Sequence, residues 1–182
     1  ERYLKALPKE LNVRSQKMSD RLNRASGDVR FSVVSCLNEK GEKTWQVESG
    51  ATATLQFEFE VLEPVPNMAF VIRIRSAVNG ESLTMLRKTV SDGVLNKGSK
   101  GIVTLSFPNL PLRPSELSIL AALTRIDDQV SYDVIDENVD LPLIRVTSST
   151  TDRFLRDGVV SLDHRFDISI DQRSVSGFVG TV

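Results

Sequence analysis

Every second residue from Ala51 to Val61 is apolar, and each residue between them is Thr, Gln or Glu. A period of two places Ala51, Ala53, Leu55, Phe57, Phe59 and Val61 on one face of a half-buried β-strand, with Thr52, Thr54, Gln56, Glu58 and Glu60 on the other. A helix would scatter both sets around its axis. Burying Leu55, Phe57, Phe59 and Val61 stabilises a fold by roughly 1.5–3 kcal/mol each, and a slip of one residue would turn all four to solvent. This strand therefore sets the register of its neighbours and is expected in the middle of a β-sandwich core.

Before it, the pattern is of another kind. Leu4, Leu7, Leu11, Met18 and Leu22 recur at spacings of three, four or seven with Lys and Arg between them, which predicts an amphipathic helix, its main part from Pro8 to Ala25 and Gly27 as its stop. From Asp28 onward short strands alternate with turns. Val29, Phe31 and Val33 alternate along a first strand ending near Cys36, Asn38 to Gly41 supplies a turn, and Thr44 to Val47 is a short extended piece. Pro64 and Pro66 are expected to stop the long strand. Phe70, Ile72 and Ile74 make the next inward face, Asn79-Gly80 a tight hairpin, and Leu83 to Leu86 the returning strand. Arg87 to Lys100 is polar and glycine-bounded and reads as a loop.

Further strands are predicted at Val103 to Phe107, Leu117 to Arg125, Val139 to Val146 and Gly158 to Leu162, with Pro142 placing the third of these at an edge or bulge. Short strands joined by turns, with no helices between them, point to an all-β chain: an immunoglobulin-like antiparallel β-sandwich with an N-terminal amphipathic linker helix. The division is a linker helix at 1–26 from a missing N-terminal domain, a sandwich at 27–168, and a C-terminal tail at 169–182 that could add a strand.

Composition narrows the chemistry. A net charge of -1 over 182 residues gives no general attraction for nucleic acid or an anionic membrane. The first 25 residues carry about +4, so the remainder is acidic. No apolar run reaches the ~18 residues needed to span a bilayer. A single cysteine, Cys36, excludes an internal disulfide, and one histidine, His164, cannot assemble the usual zinc sites. No metal and no cofactor are expected. Asp163-His164 suggests a catalytic pair only superficially, since neighbours on a strand point apart and no motif places a nucleophile. Gly93 to Lys100 imitates a phosphate loop but ends Gly-Ser-Lys instead of Gly-Lys-Ser, and its flank is predicted as strand.

Asp127, Asp128, Asp133, Asp136, Glu137 and Asp140 gather near one hairpin, where solvated turns are the plainer reading and calcium the sharper one. Trp45 fits either core or ligand platform, its place near a strand start favouring core. Arg73 and Arg75 should project from one outer sheet face about 7 Å apart. Two guanidinium groups so placed can hold a carboxylate or phosphate through charge-assisted, bidentate hydrogen bonds, unless acidic neighbours pair with them. Opposite them the outer residues Ser118, Leu120, Ala122 and Thr124 would leave a shallow recess, which Tyr132 could close at its rim with an aromatic face suited to sugar C–H groups.

The order of landmarks resembles one family. Gly27-Asp28-Val29-Arg30-Phe31, Asn38-Glu39-Lys40-Gly41, Val47-Glu48-Ser49-Gly50, Val71-Ile72-Arg73-Ile74, Phe107-Pro108-Asn109-Leu110-Pro111-Leu112, Tyr132-Asp133 and Gly158 to Phe166 are similar to landmarks of a carbohydrate-binding domain. That domain is the C-terminal part of Wzt-type ATP-binding subunits from ABC exporters of O-antigen polysaccharide. Ser115 and Phe166 depart from the Gly and Trp common there. The resemblance implies a non-catalytic sandwich that recognises the non-reducing terminus of a lipid-linked O-polysaccharide. It also implies a homodimer at the cytoplasmic side of the bacterial inner membrane, joined to the transmembrane exporter subunit through the missing ATPase domain, with the N-terminal segment as connector.

The expected carbohydrate-binding residues are Arg73, Arg75, Ser118, Thr124 and Tyr132, and the arginines favour an acidic or phosphate-capped terminus. The alternatives are a structural or dimerising sandwich without glycan affinity, and a carbohydrate-active enzyme using two of the carboxylates.

Overall fold

A computed structural model describes residues 11–12, 25–110, 112, 115–127, 129–136, 141–147 and 165–171. Eleven strands form two sheets. They are β1 Leu11–Asn12, β2 Val29–Leu37, β3 Gln46–Glu48, β4 Ala53–Val61, β5 Val65–Ser76, β6 Ser82–Leu95, β7 Lys100–Phe107, β8 Ser115–Arg125, β9 Ser131–Ile135, β10 Ile144–Thr147 and β11 Arg165–Asp171. The first sheet runs β1-β2-β4-β7-β11 and the second β3-β10-β8-β5-β6, with β9 also on β8. All pairings are antiparallel except β10 with β3, which is parallel. The described residues are thus all-β, a two-sheet sandwich.

The alternating strand is where the pattern put it. Along β4, Ala53, Leu55, Phe57, Phe59 and Val61 are buried and the intervening residues half-exposed, so this strand, paired on both sides, carries the centre of the first sheet. Its rings meet the second sheet directly. The Phe57 and Phe70 centroids lie 4.9 Å apart, Phe31 meets Phe70 edge-on at 6.3 Å, and Phe166 of β11 packs on Phe70 from the far side at 6.3 Å. Such tilted and edge-on pairs add to the hydrophobic stabilisation because ring edges are positive and faces negative. Trp45 is fully buried and belongs to this core. So does Cys36, whose thiol burial pushes up to about 12.

Several local expectations change. At Leu11–Asn12 the chain is extended and paired to Val34 and Val33, where a helix was expected; the rest of that helix, up to residue 24, lies outside the described residues. In β2 the alternation shifts phase, because a bulge falls between Phe31 and Val33. Val34 and Cys36 are therefore buried while Val33 is only half-buried. The cause is remote in sequence: the Phe31 N–H donates to Asp133 Oδ2 at 2.8 Å, leaving the ladder to reach β9. β4 ends at Val61, ahead of Pro64, and Pro66 lies inside the next strand, β5. It is tolerated at a bulge, where Asn67 takes a left-handed φ of 47°.

The largest correction is at 87–100. No loop spans it; β6 continues to Leu95 and β7 begins at Lys100. As the edge strand, β6 has exposed residues on both faces, so its sequence loses the apolar alternation that marks a half-buried strand. The turn between them, at the phosphate-loop imitation, joins two strands and presents no helix N-terminus. Pro142 precedes β10 instead of interrupting it, and β10 lies between β3 and β8. β11 crosses the expected boundary at residue 168, while the predicted strand Gly158 to Leu162 and His164 lie outside the described residues. Among the described residues no helix is long and apolar enough to cross a membrane.

Candidate functional site

Arg73 and Arg75 stand on the outer face of the second sheet, because Phe70, Ile72 and Ile74 between and before them turn inward to the core. Register brings their neighbours. Arg75 is directly opposite Ser118 on β8, and Arg73 lies between Leu120 on one side and Met85 of β6 on the other. Arg73 is exposed, and its Nη2 lies 3.7 Å from Met85 Sδ; among the described residues it has no ion-pair partner. Arg75 is half-buried beside Ser118, which is buried. The patch places two guanidinium groups beside Ser118, Leu120 and Met85, and guanidinium groups can hold an anion through charge-assisted hydrogen bonds.

The other expected members are elsewhere. Thr124 pairs with Ala69, six residues along β8 from Ser118 and so about 20 Å away; it is buried. Tyr132 is 3% exposed and part of the core, and its hydroxyl donates to the Pro66 carbonyl at 2.9 Å. It cannot present a ring at a rim. A bulge in β9 between the partners of Leu123 and Thr124 turns Tyr132 inward, a displacement that strand alternation alone does not reveal. Burial pushes its phenol up, with Arg125 opposing that shift.

Two further residues join the face: Arg87, which the loop reading had removed from view, and Met85, which lies in the expected strand Leu83 to Leu86. Arg87 on β6 stands opposite Val71, and its guanidinium donates to the Ile126 carbonyl, reaching across β5 to the end of β8. The arm that crosses the sheet helps explain why Val71 and Ala122, both outward-facing, are 8% and 7% exposed. Met85 beside Arg73 is 57% exposed and gives the patch an apolar flank. At the opposite end Arg145 and Glu116 close an ion pair at 2.8 Å. Extending the strand that returns from the Asn79-Gly80 hairpin beyond Leu86 would have found Arg87.

The described members of the acidic group do not gather into a site. Asp127 is bound by Arg125 at 2.7 Å, whose hydrogen bond holds its carboxyl below the ordinary range, and it also caps the Gln129 N–H. Asp133 and Asp136 are buried, Asp133 being engaged with β2, while Asp128, Glu137 and Asp140 lie outside the described residues. No group of possible metal ligands occurs among the described residues.

Comparison with known proteins gives a consistent picture. The family model described as Wzt C-terminal domain matches residues 21–162. A solved structure described as the crystal structure of the C-terminal domain of wzt superposes with a TM-score of 0.59 at 11% identity, covering 74% of this chain and 84% of that one. Bacteroides uniformis beta-glucuronidase 2, covalently bound to cyclophellitol-6-carboxylate aziridine, gives a TM-score of 0.46 at 14% identity over 60% of this chain and 14% of its own. That likeness is too loose to carry an argument. No curated protein matches the chain significantly.

Proposed function

The chain belongs to the Wzt C-terminal domain family, and on that premise we propose that it is the non-catalytic glycan-binding module of an O-polysaccharide ABC exporter. It recognises the non-reducing terminus of the lipid-linked polymer at the cytoplasmic side of the inner membrane. An ATPase domain of the parent protein connects it to the transmembrane subunit, and the module works as a homodimer. The observation that carries the reading is the placement of Arg73 and Arg75 on one outer face, two residues apart, with Arg75 opposite Ser118.

A polymer end is sparse in features, so recognising it calls for groups that distinguish it from the repeats behind it. Two guanidinium groups about 7 Å apart select a carboxylate or phosphate at that end. Ser118 supplies a hydroxyl for the adjoining sugar, and Met85 with Leu120 offers C–H contact to its apolar face. Thr124 and Tyr132 hold the scaffold and contribute no contact.

The test is the double variant Arg73→Ala/Arg75→Ala, titrated with the intact O-polysaccharide of the source organism. Each charge-assisted hydrogen bond contributes roughly 1.5–3 kcal/mol, so affinity should fall by at least about tenfold with the fold intact. Unchanged affinity would remove this face from the account. The alternative, an assembly sandwich without glycan affinity, is favoured by one feature, the 14-residue edge strand β6. It predicts no affinity for either polymer end or repeat.

A further inference from the structure

The outer face of the first sheet carries a recess of about 440 Å3 that the arginine face does not explain. Its floor follows from register. Glu58 of β4, Ile102 of β7 and Ser169 of β11 form one cross-strand row, and Lys100 with Asp171 forms part of the next row but one. Ser32, the extra residue in the β2 bulge, stands at its fourth side. The bulge widens the sheet locally, and the volume falls within the ~300–1,000 Å3 common for small-molecule sites.

The lining has a definite chemistry. Among the described residues none of Glu58, Lys100 and Asp171 is engaged in an ion pair, although Lys100 and Asp171 are directly opposite each other. Two carboxylates accept hydrogen bonds in pairs, an ammonium donates to lone oxygens, and the two serine hydroxyls do either. Ile102, 39% exposed in the middle, supplies a non-polar patch. Alternating acceptors and donors around a small apolar centre complement a ring that bears vicinal hydroxyls on its rim and C–H groups on its face. The two carboxylates against one ammonium disfavour an anion. The opposite face, with its arginines, has the reverse preference.

We infer that this recess is a second saccharide subsite, which takes an uncharged sugar residue from within the polymer and not its terminus. The inference rests on the glycan-binding reading above and adds to it a division of labour between the two faces. Vicinal hydroxyls would donate to Glu58 and Asp171, Lys100 would donate to a ring or hydroxyl oxygen, and the sugar C–H face would lie on Ile102.

The test uses the whole 182-residue chain, labelled with 15N, and the O-polysaccharide of the source organism after removal of its terminal residue. Saturable amide shifts are expected at Ser32, Glu58, Lys100 to Ile102 and Ser169 to Asp171, alike in the native chain and in Arg73→Ala/Arg75→Ala. The isosteric pair Glu58→Gln/Asp171→Asn should weaken this binding at least tenfold. Should that pair fail to fold, Ile102→Lys fills the recess from an exposed position and should do the same.

Shifts confined to the arginine face, or trimmed polymer bound equally by these variants, would overturn the subsite. Binding of intact but not trimmed polymer would overturn the subsite and leave the arginine face standing. Binding of neither would overturn both.

Discussion

The two outer faces of the sandwich share a common core yet present opposite chemistries to solvent. The second sheet lays Arg73, Arg75 and Arg87 over buried small residues such as Ser118 and Ala122. The first sheet presents hydroxyls and carboxylates, with Thr54 and Ser106 hydrogen-bonded at 3.1 Å and Glu58 beside Ile102. The difference shows that a net charge near zero conceals a sorted surface. Charge of one sign is gathered on the face proposed to hold an anion, and mixed polar groups on the face proposed to hold an uncharged polyol. Electrostatic selection by the one and hydrogen-bond matching by the other respond differently to perturbation, so each can be removed alone.

The broadest perturbation should abolish the contrast by removing both faces together. Phe57 is fully buried between them, and Phe57→Ala should cost about 3–5 kcal/mol in denaturant unfolding. A loss below 1 kcal/mol would mean that the sheets are not held through this ring. Salt should separate the faces. Raising ionic strength from about 0.1 to 1 M shortens the screening length from about 10 to about 3 Å, so calorimetry should show anion binding by the arginine face weakened about tenfold. Binding of trimmed polymer should be unaffected, and equal weakening of both would erase the distinction drawn between them.

Tyr132→Phe sharpens the boundary between scaffold and site. Loss of its hydrogen bond to the Pro66 carbonyl should lower stability by about 0.5–1.5 kcal/mol and leave glycan affinity unchanged. A loss of affinity without a loss of stability would restore Tyr132 to the rim. The smallest effect is expected from Cys36. Its folded-state thiol is pushed from 9.0 to about 12 by burial, so the unfolded chain ionises first as pH rises. Its contribution is therefore constant below about pH 9 and falls between pH 9 and 12, a fall that Cys36→Ala should remove from the pH dependence of unfolding. Reaction of the native thiol with an alkylating reagent at pH 8 would contradict that burial.

What was legible in the sequence follows the same physical line. A strand with one face buried records its environment residue by residue, so β4 could be read to its register and β7 and β8 nearly so. An edge strand records little, because Lys88, Thr89 and Asp92 of β6 are all exposed whichever face they occupy. For that reason Arg87 escaped notice while Arg73 and Arg75, framed by Phe70, Ile72 and Ile74, did not. Bulges were the second obstacle. The phase change in β2 is set by Asp133, 102 residues away, and the inward turn of Tyr132 by a bulge beside it. Neither has a local signature, since each arises from a partner chosen by the folded arrangement.

The family was legible because its described landmarks lie in turns and core strands, which tolerate little variation in backbone geometry. The ligand was not, because an outer sheet face constrains the backbone hardly at all. Arg73 and Arg75 could be solvated side chains on another sandwich with the same core. Only their company, Ser118 across the ladder with Met85 and Leu120 on the flanks, distinguishes a patch from a pair of charges.

The measurement that bears most directly on the central claim is a calorimetric titration of the chain with O-polysaccharide from its source organism, intact and with the terminal residue removed. Recognition of the end through the arginine face predicts saturable binding at least tenfold tighter to the intact polymer, with the second subsite supplying whatever affinity the trimmed polymer keeps. Equal affinity for the two would contradict end recognition.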